Sequence, residues 1–270
     1  MQSGSPQTRK MTFALIRSAH KRFRMKELPD RVAVYFHALE RPDWAQFRAC
    51  IAYFRNQGYR IVKIDEYSST LARGKMLFVS FDDNYKNWHE AIGLLGELDV
   101  RATFYVNTLP FMDCSSEAAR LQYFDRIAYN ANPISMTTAE LVELANAGHE
   151  IGCHSHSHFD LARLERKYWD TEIRGSRQAL EDVIGRPVVH FAYPYGMRRY
   201  FTDALRDYCR SIGFQTIASG VPGYQHSPRI DPFNLHRTRW NFSRSLEHNI
   251  EDIRIDGRLF EQLTGWSAVG

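Results

Sequence analysis

Two short stretches of this chain carry residue types able to do chemistry. They are Ser80-Phe81-Asp82-Asp83, which ends an apolar run, and Gly152-Cys153-His154-Ser155-His156-Ser157-His158, about seventy residues later. One carboxylate with two neutral imidazoles suits Zn²⁺ or another divalent transition metal, and catalytic sites of this kind keep a position open for water. The second aspartate is then left over as a base. That division fits metal-assisted hydrolysis, in which water must be both acidified and deprotonated at neutral pH. By itself an Asp-Asp pair reads as a turn or a helix cap, and a lone buried histidine as a satisfied core group. The setting argues otherwise. Met76-Leu77-Phe78-Val79-Ser80-Phe81 reads as a buried strand, so the acids fall where a strand gives way to a loop, where α/β barrels carry their catalytic groups. The histidines follow a similar approach through Gly148-His149-Glu150-Ile151-Gly152.

The spacing within the histidine cluster allows two geometries. In a helical turn His154 and His158 share a face, whereas in an extended strand His154, His156 and His158 line one side. The helical-turn pair is favoured, because Phe159 to Leu164 resembles a helix start with Asp160 as N-cap. His156 is then expected to line the groove without binding metal.

The elements that must position these groups alternate between strand and helix. Arg31–His37, Tyr59–Ile64, Met76–Phe81, Ala102–Asn107, Val188–Tyr193 and Phe214–Ala218 read as strands. Between them, Asp43–Gln57, Trp88–Leu98, a stretch opened by the capping box Thr137-Thr138-Ala139-Glu140, Asp170–Ile184 and Thr202–Ile212 read as helices. Six or more βα units favour a barrel over an open dinucleotide-binding sheet, and no glycine-rich phosphate loop follows the first strand. The expected fold is a distorted (β/α) barrel of seven or eight strands in a single α/β domain over residues 31–255, with a basic arm at 1–30 and a tail at 256–270.

With 270 residues and 44% hydrophobic content the chain can bury one sizeable core. A formal charge of +4 is mild, and no nucleic-acid partner is expected from it. Arg17, Lys21, Arg22 and Arg24, interleaved with Phe13, Ile16 and Phe23, read as a short basic amphipathic helix suited to weak membrane-surface contact. Cys50, Cys114, Cys153 and Cys209 form no Cys-x-x-Cys pair, and no apolar run has the length of a signal core or a membrane span. A cytoplasmic address, peripheral at the inner membrane face through that helix, is the expectation.

In this order the pieces resemble the polysaccharide deacetylases of carbohydrate esterase family 4, the nodulation-deacetylase homology fold, from about Arg31 to about Trp240. The matching elements are Tyr35-Phe36-His37, Phe81-Asp82-Asp83, Ala102 to Asn107, Gly148 to Gly152 with His154 and His158, and Phe191-Ala192-Tyr193-Pro194-Tyr195-Gly196. The resemblance implies Asp82 as general base, Asp83, His154 and His158 as ligands of one divalent metal (Zn²⁺ first, with Co²⁺, Ni²⁺ or Mn²⁺ compatible), and the Tyr195 amide as oxyanion donor. His236 is the candidate proton donor to the leaving amine. Asn84, Tyr193, Pro194 and Arg237 are expected to bind substrate, and Tyr195, Trp240 and Phe242 are suited to stacking on sugar rings.

Two departures from the family pattern stand out. Asn84 replaces a common Gly and is expected to bring an amide into the site in a left-handed conformation. Ala192 stands where an Arg usually supports the base, leaving Arg198, Arg199, Arg237 or Arg239 to supply the charge. The expected activity is metal-dependent removal of an N-acetyl group from an acylamino sugar. The alternatives are deformylation or hydrolysis of another small amide, a non-catalytic sugar-binding role, and a purely structural metal site.

Overall fold

The computed structural model describes Met25 and residues 27–130, 132–223, 225 and 230–256. The basic N-terminal helix and the C-terminal tail expected from sequence lie outside these residues, apart from Met25 and Asp256. Eight parallel strands carry the fold: β1 (Arg31–Phe36), β2 (Arg60–Val62), β3 (Met76–Asp83), β4 (Thr103–Val106), β5 (Glu150–Cys153), β6 (His190–Ala192), β7 (Thr216–Ala218) and β8 (Thr238–Arg239). Their order across the curled sheet is β7-β6-β5-β4-β3-β1-β8. β3 is the longest strand. Its first half pairs with β2 (Arg60 opposite Met76) and its second half with β4 (Asp83 opposite Val106), while β1 runs along its other edge.

One short segment joins the two free edges. Leu235 bridges Ala218 in β7, with its N–H on the Ile217 carbonyl at 2.9 Å, and three residues later Thr238 and Arg239 pair with Val34 and Tyr35 in β1. This is the (β/α) barrel expected from sequence, closed by a narrow seam.

Strand alternation sorts the side chains into two cores. Ala33, Met76, Phe78, Tyr105, Ala192, Ala218 and Leu235 point into the barrel. Val32, Val34, Phe36, Leu77, Val79, Phe81 and Phe104 face the surrounding helices. There Phe81 stacks on Phe104 with ring centroids 4.8 Å apart, and each such buried ring contributes roughly 1.5–3 kcal/mol. Arg31 fills the far end of the barrel, its guanidinium donating to the carbonyls of Ser69 and Ala72 at 2.8 Å and to that of Tyr67.

Two helix boundaries differ from expectation and two helices are additional. The stretch from Trp88 to Leu98 is two short helices, Lys86–Glu90 and Ile92–Glu97. A π-helical turn, Asp170–Gly175, precedes the α-helix Ser176–Ile184. Helices at Glu117–Arg126 and Leu246–Ile253 had no clear sequence signal. The capping box at Thr137 forms as read, with the Glu140 N–H on Thr137 Oγ1 and the Glu140 carboxylate on the Thr137 N–H.

Two buried histidines outside the site couple this fold to pH. His149 Nδ1 accepts from the Ala102 N–H at 3.2 Å, and burial, helped by Arg101 and Lys63, pushes its pKa down to about 4. Burial likewise pushes His190 to about 4 against the pull of Asp65. Between their unfolded value of about 6.5 and the folded value, the unfolded chain binds more protons, so stability falls as pH falls through that window. Each histidine is expected to cost ~2 kcal/mol at pH 5. Thermal melts should show Tm dropping from pH 7 to pH 5, with a shallower drop in His149→Gln. An unchanged slope in that variant would show that His149 is not a source of the acid sensitivity.

Candidate active site

Asp82, Asp83, His154, His158, Tyr193 and Tyr195 gather at or just beyond the C-terminal ends of β3, β5 and β6, on one rim of the barrel. They line a groove of about 530 Å³. Period-two alternation aims Asp82 inward with Phe78 and Ser80, and would aim Asp83 at the helices. Asp83 instead has φ 93°, and this left-handed bend at the strand end brings the second carboxylate to the rim. Of the six described non-glycine residues with positive φ, four are Asp83, Ser155, His158 and Tyr195, so backbone strain is concentrated here. The left-handed residue expected at Asn84 is thus Asp83.

The donor atoms of Asp83, His154 and His158 face one another. Asp83 Oδ1 stands 3.5 Å from His154 Nε2 and 3.4 Å from His158 Nε2. Tetrahedral ligands ~2.1 Å from a metal lie ~3.4 Å apart, so the three donors match a common centre. Two of the three ligands are held from behind. Asp83 Oδ2 accepts from the Tyr85 hydroxyl at 2.7 Å, and His154 Nδ1–H donates to the Ala192 carbonyl at 2.7 Å, which leaves its Nε2 lone pair facing the carboxylate. Asp83 Oδ1 is buried without a hydrogen-bond partner among the described residues, a costly state that a cation relieves.

Each of the three groups is shifted by its neighbours. Burial would raise the Asp83 carboxyl, but the facing imidazoles of His154, His158 and His37 hold it well below the usual carboxylate range. Burial pushes His158 down to about 4, so it is neutral and able to ligate. His154 is raised despite its burial, because Asp83 favours its protonated form.

The loop bearing the two histidines is neither a helical turn nor a strand. Its bends at Ser155 and His158 bring the pair together, while the His154 N–H continues the ladder to the Val106 carbonyl at 3.0 Å. Asn107 clamps the loop, its Nδ2 donating to the carbonyls of His154 and Ser155 and its Oδ1 accepting from the Tyr123 hydroxyl at 3.0 Å. On the far side, Glu172 accepts from the Ser157 N–H at 3.0 Å and from its hydroxyl. Asp160 caps a 3-10 turn, Leu161–Arg163, in place of the expected longer helix. His156 does not line the groove. Its Nδ1 bonds Thr108 Oγ1 at 2.8 Å, and its ring faces a separate cavity behind the loop.

The base and its charge partner lie one layer down. Arg237 forks both arms onto Asp82, Nη1 to Oδ1 at 2.7 Å and Nη2 to Oδ2 at 2.8 Å. It also donates to Ser80 Oγ at 3.0 Å and, from Nε, to the Ser219 carbonyl at 2.9 Å. The rings of Tyr35 and Tyr105 flank it at 4.7 and 4.9 Å. Burial alone would lower the guanidinium, and the carboxylate of Asp82 more than reverses this, raising its pKa. Tyr105 reaches this position only because Gly152 faces it, since a Cβ there would stand 2.5 Å from the ring.

Three expected substrate contacts are corrected by burial. Arg237 is 1% exposed and fully engaged with Asp82, so it supplies the charge absent at Ala192 and has no surface left for a sugar. Asn84 is fully buried, its amide stapling the Asn107 carbonyl and the Met136 N–H at 3.1 Å each. Pro194 is buried and outside the groove lining. Tyr193 does line the groove and stacks on Phe201 with centroids 4.4 Å apart. Tyr195 stands 41% exposed with its ring against His158. Trp240 and Phe242 also line the groove.

His236 is corrected too. Leu235, Arg237 and Arg239 point inward, so alternation sends His236 outward, where it packs against Gly223 and away from the groove. The titratable group that sequence reasoning missed is His37, at the end of β1, which lines the groove. Burial lowers its pKa, and Asp83 and Asp82 oppose the shift. Its place in the matched Tyr35-Phe36-His37 element, at a strand's C-terminal end, was the available signal.

Comparisons with known proteins bear on the family and the fold. The sequence profile of the polysaccharide deacetylase family matches residues 71–217, just over half of the chain, and the chain belongs to that family. By family it is a carbohydrate deacetylase, a hydrolase. A search of curated proteins finds no match. Among solved structures it is similar to the Streptococcus pyogenes deacetylase PplD in complex with acetate, with TM-score 0.64, 17% identity, and coverage of 81% of this chain and 96% of that one. It is also similar to IcaB from Ammonifex degensii (TM-score 0.63, 17% identity, coverage 85% and 99%). A third is the BpsB deacetylase domain from Bordetella bronchiseptica (TM-score 0.59, 14% identity, coverage 80% and 98%). At these identities the likeness speaks to the fold alone.

Titration of metal-stripped protein with Co²⁺ should give one site per chain with the absorption of a tetrahedral centre. Asp83→Ala and His154→Ala should each weaken binding at least a hundredfold, with Tm of the metal-free proteins within a few degrees of the parent. Wholesale unfolding of Asp83→Ala would point instead to a structural metal site.

Proposed function

We propose that this protein is a metal-dependent N-deacetylase of acylamino sugars in which Asp82 is the general base. The observation that carries this reading is the division of the adjacent aspartates: Asp83 faces two imidazoles, while Asp82, paired with Arg237, faces the groove. A divalent metal held by Asp83, His154 and His158 would supply Lewis-acid polarisation of the amide carbonyl and acidification of a water.

The remaining work falls to the chain's own groups. Each Asp82 oxygen can accept a second hydrogen bond besides the one from Arg237, so the carboxylate can orient a water in the groove and take its proton. The Tyr195 N–H donates to no described residue, and the left-handed φ of 64° at this residue supports its role as an oxyanion donor. The departing amine needs a proton, which Asp82 carries after the first step and His37 is placed to relay. The exposed Tyr195 and half-buried Phe242 are the rings available to a sugar, whereas Trp240 is packed in the core against Phe36. The Arg237–Asp82 pair favours catalysis over a sugar-binding role, because a buried, oriented carboxylate is costly to keep without a use in turnover.

With Zn²⁺ or Co²⁺, acetate should be released from N-acetylglucosamine oligomers. Asp82→Asn should lower kcat by at least ~10³ with metal stoichiometry intact, and His37→Gln by ~10²–10⁴, whereas His236→Gln should cost less than tenfold. A metal-loaded protein that binds these oligomers yet releases no acid from acetylated or formylated sugars would make it a sugar-binding homologue.

A further inference from the structure

The charges facing the groove are unequally answered. Its two carboxylates already have partners, Asp82 in Arg237 and Asp83 in Tyr85 and the two imidazoles. Its two arginines do not: neither Arg126 nor Arg239 lies within ion-pair distance of any described carboxylate, although both line the same groove as the acids. Arg239 is exposed and makes no hydrogen bond to a described residue. It follows Arg237 by two positions on the same strand face, which places it ~7 Å further toward solvent than the Asp82 pair, close to the length of one sugar ring. Arg126 comes from the opposite wall. It is half-buried, donates to the Ser157 carbonyl beside His158 and stacks over Phe159 at 4.0 Å, so its position is fixed before any ligand arrives.

One anchored guanidinium and one exposed guanidinium, neither with a described carboxylate partner, flank the reaction centre and favour an oxyanion over a cation, since planar forked donors match carboxylate and phosphate geometry. We infer that the substrate is an anionic acylamino glycan, bearing a carboxylate or a phosphate one sugar away from the acylated unit, with Arg239 as its principal receptor and Arg126 as a second. This rests on the deacetylase reading above. It also accounts for the lack of an acidic group opposite either arginine, which would hold back the aminated product and compete with the substrate anion.

The test compares three probes of different charge with metal-loaded protein: hyaluronan tetrasaccharide (carboxylate), N,N′-diacetylchitobiose 1-phosphate (phosphate) and the fully N-acetylated chitotetraose (neutral). Acetate release should show kcat/KM at least tenfold higher for one of the anionic probes than for chitotetraose at low salt, and which probe wins assigns carboxylate or phosphate. The advantage should shrink at 0.5 M salt. Arg239→Gln should reduce the anionic-to-neutral ratio to within threefold of one, acting through KM, and Arg239→Lys should restore part of it. Binding to Asp82→Asn protein, followed by Trp240 fluorescence, reads the charge preference without turnover. Charge-dependent binding with no acetate from any probe would keep this inference and remove the deacetylase reading. Equal or better use of chitotetraose, or an equal loss on all three probes in Arg239→Gln, would overturn the inference.

Discussion

The forked contact between Arg237 and Asp82 is the interaction on which the rest of this structure depends. Taking a guanidinium and a carboxylate out of water costs several kcal/mol per ion, and the cost is recovered only when geometry and further hydrogen bonds are good. Here two parallel N–H···O bonds, the Ser80 hydroxyl, the Ser219 carbonyl and two tyrosine faces supply that recovery. Arg237 also lies between Leu235, which bridges β7, and β8, which pairs with β1. One contact therefore ties β3 to the seam that closes the barrel and orients the carboxylate that faces the groove. Gly152 belongs to the same arrangement, because it makes room for the Tyr105 ring that covers the guanidinium.

Above that layer the rim is held in unusual backbone conformations. The left-handed bends at Asp83, Ser155, His158 and Tyr195 turn side chains or N–H groups toward one point, against the directions a regular strand would give them. Asn107, Glu172 and Asn84 answer the polar groups that these bends leave behind. All three are buried and none lines the groove, so their contribution is to position the residues that do.

The sequence was informative where a feature is local or periodic. The six strand runs, the capping box at Thr137 and the acid pair at the end of an apolar run follow from alternation and short-range hydrogen bonding, and the barrel follows from their order. It was less informative where a residue's role is set by what lies across the barrel. β8 is two residues long, too short to leave a periodic signal, so the inward and outward sides of Leu235 to Arg239 were not separated. Arg237 was thus expected both at a sugar and as one of four candidate partners for Asp82, and His236 at the leaving group, when alternation puts the first under Asp82 and the second outside. Asn84 was misjudged for a related reason: its amide partners, Asn107 and Met136, are distant in sequence, and the strained residue is its neighbour Asp83. His154 and His158 do face each other, but through left-handed bends at Ser155 and His158 and not through the helical turn that the spacing suggested.

The claim that Arg237 acts through Asp82, as its charge partner, is tested most directly by a double-mutant cycle on kcat/KM with Asp82→Asn, Arg237→Gln and the combined variant, each loaded with metal to the same stoichiometry. Groups that work as a unit are non-additive, so the double variant should lose no more than Asp82→Asn alone, within about threefold. Losses that multiply, with the double variant slower than Asp82→Asn by the full factor of Arg237→Gln, would show that the two residues act independently and would contradict this account.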